Sequence, residues 1–290
     1  MRGWALAWAL CLVSSDAWSQ DLPVFPSSIE MVRVDVSVTR DGRPCEGLKA
    51  SDFEVRDNGA LQAVGIVGGA DKKIDAVVAL DVSTSVAGPS LLHLKAAAHA
   101  LVDVLRPEDA VSLLTFSDRI QLRISPADSR ERVHEIIDGT EAQHTTALYD
   151  ATYAALTTTD PARGRPLVLI FSDGEDVGSW LKPEQVLRVA EASELVAHAV
   201  LSRREEAEVA FLRDLVASTG GQEWRADFGE LRDVMLRALD EFRSRYTLQY
   251  ERHGATADGW HKLQVRVKAP GAVVRARKGY WQRAPRPAAR

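Results

Sequence analysis

Oxygen-bearing side chains follow an apolar run near residue 80 of this 290-residue chain. The run, residues 76–80, reads AVVAL, and Asp81, Ser83 and Ser85 come directly after it. One carboxylate and two hydroxyls offer only hard oxygen ligands, which suit Mg²⁺ better than zinc or copper. On its own this D-x-S-x-S spacing is weak evidence, because aspartate and serine are also ordinary turn and helix-cap residues.

The position of these side chains depends on the strand that precedes them. A run that is apolar on both faces is typical of a central strand in a parallel sheet, because helices cover each side of such a sheet. Ligands in these sheets bind beyond the carboxyl ends of the strands. The sequence therefore predicts a binding site in the loop that holds Asp81, Ser83 and Ser85.

Two later stretches carry further oxygen donors. Residues 145–150 (TTALYD) open a helical pattern, and residues 167–171 form a second fully apolar run. That run ends in an acidic turn, residues 172–176 (SDGED). Because this turn also follows a buried strand, we expect Asp173 to lie at the same edge of the sheet as the first loop.

In this order the motifs D-x-S-x-S, T-x-L-Y-D and S-D-G-x-D resemble the von Willebrand factor type A domain, over roughly residues 73–242. The resemblance implies a metal-ion-dependent adhesion site whose ligands in this sequence are Asp81, Ser83, Ser85, Thr146 and Asp173. It implies Mg²⁺, with Mn²⁺ or Ca²⁺ as alternatives, and an open coordination position that an acidic side chain of a partner protein fills. The family usually has two glycines before the threonine, where this chain has His144 and Thr145.

Residues near the expected metal are candidates for a partner-binding surface, namely His144, Tyr149, Glu175, Asp176 and Trp180. For each of them, a solvated loop position or a packed position explains the sequence equally well.

Strand and helix patterns alternate regularly between residues 73 and 242. This alternation predicts an α/β fold with a doubly wound, mostly parallel sheet and right-handed crossovers. The two apolar runs are its central strands, residues 120–124 an edge strand, and residues 231–242 the last helix.

The flanks of this domain, residues 20–72 and 243–282, show a period of two instead, which is typical of strands with one buried face. Valines alternate with polar residues over residues 32–38, and residues 263–267 repeat the pattern. Short strands with one apolar face need one another to form a core. We therefore expect both flanks to form one small β-sandwich, with the α/β domain inserted into it.

A hairpin is predicted within the N-terminal flank. Residues 53–56 are followed by Asp57, Asn58 and Gly59, which is a strong hairpin-turn signal. The second strand of this hairpin is expected over residues 61–67.

Residues 1–19 have the features of a signal peptide. Residues 4–13 are apolar but too few to span a bilayer, and the small residues Ala17 and Ser19 mark a cleavage site before Gln20. We expect a secreted, periplasmic or cell-envelope protein with no transmembrane segment after cleavage. An uncleaved N-terminal membrane anchor is the alternative.

The remaining composition favours no particular partner. The net charge is −5, hydrophobic residues make up 46% and charged residues 27%, so nucleic acid is not expected. Cleavage would leave Cys45 as the only cysteine, so no internal disulfide stabilises the mature chain. Nine lysines and arginines but no acidic residue follow Asp258. These basic residues form either a solvated face or a contact surface for anionic polymers or lipids. The last of them lie in residues 283–290, which we expect to be disordered.

Two other classes of protein stay open. A haloacid-dehalogenase-like phosphatase also uses Mg²⁺ and an aspartate after a strand, but it needs a second aspartate at the position of Ser83. A structural envelope protein would use the metal only to stiffen its fold. The sequence has no nucleophile elbow, no zinc-hydrolase motif and no phosphate-binding glycine loop, so we expect a binding module and not an enzyme.

Overall fold

The structure, a computed structural model, describes residues 31–202, 210–252 and 259–282. The predicted signal peptide and C-terminal tail lie outside the described residues, as does the start of the N-terminal flank. Within the described ranges, no helix combines the length and the apolar character that a membrane span requires.

The described residues form strands and α-helices in the following order. The strands are β1 (Met31–Arg40), β2 (Arg43–Pro44), β3 (Phe53–Asp57), β4 (Ala60–Gln62), β5 (Val64–Gly68), β6 (Ile74–Asp81), β7 (Ala110–Phe116), β8 (Ile120–Ile124), β9 (Arg165–Ser172), β10 (Val196–Ser202), β11 (Glu223–Ala226), β12 (Tyr246–Glu251), β13 (Gly259–Val267), β14 (Val273–Arg275) and β15 (Gly279–Gln282). The helices are α1 (Pro89–Val104), α2 (Arg130–Asp138), α3 (Leu148–Thr158), α4 (Pro183–Glu191), α5 (Ala210–Thr219) and α6 (Leu231–Arg243).

The central sheet has the strand order β11–β10–β9–β6–β7–β8. Neighbouring strands pair in parallel, except that β8 pairs antiparallel with β7. β8 lies at one end of the sheet and is the predicted edge strand. Every residue of β6 and β9 is buried. The two apolar runs are therefore adjacent central strands, and their carboxyl ends meet at one edge of the sheet.

Side chains of β6 alternate between two apolar cores. Ala76, Val78 and Leu80 lie in the core that α1, α2 and α6 cover. Val77 and Ala79 lie in the core that α3, α4 and α5 cover. Helices on both faces explain why the strand has no polar face, and the doubly wound α/β arrangement is as predicted.

Strands from the two ends of the described chain pair with each other. β1 pairs antiparallel with β12 in a sheet of order β14–β1–β12–β5, and β2 lies beside β1. A second sheet has the order β15–β13–β3–β4. The apolar side chains of the predicted alternation in β1 are all buried, namely Val32, Val34, Val36 and Val38.

The predicted hairpin joins β3 and β4. Asn58 and Gly59 have φ angles of 48° and 87°, the left-handed conformations of the commonest two-residue hairpin turn. This turn fixes the register, so that Val55 pairs with Gln62. Gln62 is therefore buried, whereas Leu61 is 60% exposed.

The single strand predicted over residues 61–67 is wrong. The chain leaves the hairpin after Gln62, and β5 begins at Val64 in the other sheet, beside β12. The sequence does not reveal this change of sheet, because Ala63, where the strand breaks, is not a turn-forming residue.

An ion pair joins the flank strands to the central sheet. Arg165, the first residue of β9, lies 2.6 Å from the Asp35 carboxylate of β1, and the two side chains are only 8% and 9% exposed. Arg165 also donates to the carbonyl of Phe242, at the end of α6, and lies over its ring. The Thr247 hydroxyl of β12 donates to the same Asp35 oxygen at 2.8 Å. Four elements therefore meet at one buried charge pair.

Replacing Arg165 by Met should lower the free energy of unfolding by about 3–5 kcal/mol, because the Asp35 carboxylate would stay buried without its partner. Arg132→Met is the matched control. Its 3.0 Å ion pair with Glu135 is 61% and 67% exposed, and such pairs contribute at most about 1 kcal/mol. Urea unfolding followed by circular dichroism measures both variants. Equal, small losses would contradict a structural role for the buried pair.

Candidate metal centre

The carboxylate of Asp81 lies at the carboxyl end of β6 and is completely buried. Leu80 pairs with Phe171 of β9, so the next residues, Asp81 and Ser172, fall side by side. The Ser172 hydroxyl donates to Asp81 Oδ2 at 2.8 Å, and the backbone N–H of Ser83 donates to Oδ1 at 3.0 Å. The parallel register thus holds both carboxylate oxygens in place.

The two serines of the first motif come next. Ser83 precedes a short 3₁₀ helix, Thr84–Val86, and its hydroxyl lies 3.0 Å from that of Ser85. Ser83 is 2% exposed, whereas Ser85 is exposed. The oxygens therefore lead from the buried carboxylate towards solvent.

Asp173 follows β9 directly and is 3% exposed. Gly174 turns the chain there with a φ of 92°, and its N–H donates to the Ser172 hydroxyl at 3.1 Å. Asp173 Oδ1 accepts from the N–H of Glu175 at 3.2 Å. A second carboxylate is thereby fixed beside the strand end that holds Asp81.

These surroundings make the ionised form of Asp81 costly. Burial raises the pKa of Asp81 to about 6, although hydrogen bonds from Ser83 and Ser172 lower it, and the charge of Asp173 raises it further. Among the described residues, no group of three or more His, Cys, Asp or Glu side chains is placed to hold a metal ion. Any cation here would therefore be held by two carboxylates together with hydroxyl oxygens.

Thr146 is held at the same edge by the main chain. Gln143 N–H donates to the carbonyl of Val82 at 2.7 Å, and Ala147 N–H donates to that of Ser117 at 2.8 Å. The Thr146 carbonyl accepts from two N–H groups of the loop after β9, each at 2.9 Å. Its side chain is 5% exposed. Backbone hydrogen bonds thus join the three motif loops to one another.

His144 stands where the family usually has glycine, and its φ of 59° lies in the left-handed region. Glycine adopts this conformation freely, whereas other residues pay roughly 1–2 kcal/mol. The His144 carbonyl accepts from both the N–H and the hydroxyl of Thr84, at 3.1 and 3.2 Å. The loop therefore keeps a glycine-like path with a histidine in it.

The candidates for the partner surface fall into two groups. Tyr149 packs edge-on against Phe211, and the Asp176 carboxylate accepts from Tyr149 N–H and from the Ser179 hydroxyl. The Tyr149 and Asp176 side chains therefore make contacts inside the domain. His144, Glu175 and Trp180 are exposed, and Trp180 is 95% exposed.

Sequence reasoning missed two residues that organise this edge. The Ser172 hydroxyl orients Asp81, and the Asp150 carboxylate accepts from the N–H groups of Trp180 and Leu181, both at 2.9 Å. Each stood within a quoted motif, directly before Asp173 and directly after Tyr149. Their roles depend on strand register and loop path, which the motifs alone do not give.

Residues 76–175 match the family model of the von Willebrand factor type A domain. No curated protein matches the sequence. Among solved structures, proximal thread matrix protein 1 from the mussel byssus has a TM-score of 0.54 at 17% identity, over 66% of this chain and 51% of that chain. A second structure of that protein, described as having a zinc-occupied MIDAS motif, has a TM-score of 0.52 at 17% identity, over 64% and 49%.

A von Willebrand factor type A structure from Catenulispora acidiphila matches 86% of this chain and 74% of its own, at 13% identity and a TM-score of 0.49. The present chain spans about half the length of the mussel protein. At these identities, the likeness to the mussel structures shows the fold alone.

Asp81→Asn should raise the stability of the metal-free protein at pH 8 by up to about 3 kcal/mol, because a pKa of about 6 makes the ionised carboxylate costly. The asparagine oxygen can still accept from Ser83 N–H. Thermal and urea unfolding in EDTA measure the change. Ser83→Ala is the control, since it keeps the charge and should bring no gain. An Asp81→Asn protein no more stable than the wild type would contradict this account.

Proposed function

Given that this chain contains a von Willebrand factor type A domain, we propose that it is an exported protein-binding module that holds a partner through a metal ion. The metal would be bound by the five predicted ligands, Asp81, Ser83, Ser85, Thr146 and Asp173. The single observation that carries the proposal is the fully buried Asp81 carboxylate beside Asp173 at the strand edge.

A cation would offset the negative charge of the two carboxylates at this strand edge. Burial alone already favours the protonated form of Asp81, and Asp173 adds a second negative charge nearby. A divalent ion would compensate both charges and would use the hydroxyls of Ser83 and Ser85 as further ligands. Hydrogen bonds to Ser172 and Ser83 hold the carboxylate in one orientation for it.

Mg²⁺ fits the donor set best, because every candidate ligand is a hard oxygen. Mn²⁺ and Ca²⁺ accept the same donors and are the alternatives. The zinc-occupied motif of the mussel protein indicates that other divalent ions can enter such a site. When bound, the metal supplies one coordination position to a ligand from outside, and a carboxylate of an acidic partner residue is the matching donor.

The surface around the site suits a protein partner. Asp150 holds the backbone of Trp180 and Leu181, and Thr146 holds that of Gly178, so the loop has a fixed path. That loop nevertheless presents the Trp180 side chain almost fully to solvent. A tryptophan on a rigid loop offers a large contact area at low entropic cost, which is the usual character of an interface hot spot.

The arrangement argues against a phosphatase. A nucleophilic aspartate must reach the phosphorus atom of a bulky substrate, whereas Asp81 has no exposed surface. Ser83 also occupies the place of the second aspartate that such an enzyme needs.

We also propose that the flanks form one β-sandwich module, with residues 20–72 and 243–282 on either side of the inserted domain, residues 73–242. One apolar cluster contains side chains of both flanking sheets, for example Val36 and Val55. The buried Asp57 carboxylate of β3 accepts from the hydroxyls of Tyr250 in β12 and Tyr280 in β15. The Tyr250 contact crosses from one sheet to the other and supports the shared core, whereas Tyr280 lies in the same sheet as Asp57.

The binding proposal is tested on an array of peptides that each contain one Asp or Glu, against versions with Asn or Gln. In Mg²⁺, the mature protein should bind a subset of the acidic peptides and none of their amide versions. EDTA and the Asp81→Ala substitution should each abolish the signal. Trp180→Ala should weaken it by about 10-fold or more.

Trp281→Ala is the matched control, because Trp281 is also exposed, at 48%, but lies in the flank strand β15. It should leave binding unchanged. Equal binding of acidic and amide peptides, or binding that survives EDTA, would contradict the proposal. Metal binding without any peptide binding would favour a stabilising metal in a structural protein.

A further inference from the structure

A pair of histidines lies away from the strand edge, between α1 and α2. We propose that His99 and His134 form a second cation site, one that takes a late divalent transition metal such as Zn²⁺ or Cu²⁺. This inference is independent of the proposed function, because it uses other residues and nitrogen instead of oxygen ligands.

The two imidazoles meet edge to edge. His99 Nδ1 lies 2.6 Å from His134 Nδ1. The ring centres are 4.9 Å apart and the ring planes differ by 21°. The rings are therefore nearly coplanar across this contact, and their Nδ1 lone pairs point towards each other.

Each ring has a carboxylate behind it. His99 Nε2 lies 2.9 Å from Asp138 Oδ1, and His134 Nε2 lies 3.2 Å from Asp103 Oδ1. An ionised carboxylate only accepts hydrogen bonds, so His99 donates from Nε2 and its Nδ1 keeps a lone pair. The Asp103 carboxylate, at ion-pair distance from His134 Nε2, favours the same tautomer of His134. With that tautomer two lone pairs face each other at 2.6 Å, and a cation between them would relieve their repulsion.

The surroundings of the two rings suit a metal ion. A carboxylate that accepts the remote N–H of an imidazole is the usual partner of a metal-bound histidine, because it fixes the tautomer and the ring orientation. Imidazole nitrogen suits zinc, copper and nickel. With bonds of about 2.0–2.1 Å, a tetrahedral metal needs its two nitrogens roughly 3.3 Å apart. The rings would have to separate by less than about 1 Å and turn so that both lone pairs converge on the metal, and side chains that are 26% and 32% exposed have room to do so.

The cationic side chains near the pair bind backbone carbonyls and do not lie between the two rings. Lys95 Nζ donates to the carbonyl of Asp138, and the Arg130 guanidinium donates to carbonyls at the end of α1. Glu131, in the first turn of α2, adds a negative charge near His134. Because the pair supplies two protein ligands, water would complete the coordination, and we expect a modest affinity.

Occupation of this pair would connect the helices behind two of the strand-edge loops. α1 follows the loop that holds Ser83 and Ser85, and α2 precedes the loop that holds Thr146. A metal between them would cross-link both helices without entering the strand-edge site.

Calorimetric titration of the chelator-treated mature protein with ZnCl₂ tests the inference, in an Asp81→Ala background that removes the strand-edge site. One zinc ion per chain should bind. Binding should be lost in the added variants His99→Gln and His134→Gln. His93→Gln is the matched control, because His93 is an exposed histidine of α1 outside the pair, and it should bind zinc as before. With Cu²⁺, electron paramagnetic resonance should show coupling to two imidazole nitrogens.

Zinc binding that survives His134→Gln, or that His93→Gln reduces equally, would overturn the inference. An Asp81→Ala protein that binds neither Zn²⁺ nor Cu²⁺ would overturn it as well and leave a proton as the only occupant. Circular dichroism confirms that each variant is folded. His99→Gln in the wild-type background should titrate with Mg²⁺ as the wild type does, so failure of either site is recognisable separately.

Discussion

A carboxylate without solvent contact, at the carboxyl end of the fully buried strand β6, sets the requirements for this edge of the central sheet. Asp81 cannot turn towards water, because helices cover both faces of β6 and parallel neighbours occupy both of its sides. Two hydrogen bonds offset part of the desolvation cost, but the raised pKa indicates that they do not offset all of it. A buried carboxylate in this state, with Asp173 beside it, is a poor choice for stability alone. It makes physical sense as one half of an interaction with a cation.

The opposite end of β9 carries the other constraint. Arg165 begins the strand and binds Asp35 of the flank, whereas Ser172 ends it beside Asp81. At about 3.3 Å per residue, these two ends are roughly 23 Å apart. The flank strands therefore join the central sheet away from the proposed metal, and they leave the edge with Trp180 open to a partner. One rigid strand connects the junction to the site.

Much of this arrangement follows from the sequence, since two apolar runs predict two buried strands and each ends in oxygen donors. The pairing of those strands, and with it the contact between Asp81 and Ser172, follows from the parallel topology. Other features depend on tertiary structure that no local pattern contains. The role of Asp150 requires the loop of Trp180 to fold back onto α3. The change of sheet after Gln62 occurs at Ala63, without a turn-forming residue. The contact of His99 with His134 joins residues 35 positions apart and arises only when two helices pack.

The most direct test of the central claim is calorimetric titration of chelator-treated protein with Mg²⁺ and Mn²⁺, together with thermal unfolding at each metal concentration. One ion per chain should bind, and the melting temperature should rise with occupancy, because the ion binds the folded state. Asp81→Asn should abolish both effects. If the wild type gives no heat and no thermal shift at millimolar metal, the buried carboxylate does not serve a cation, and the account is wrong.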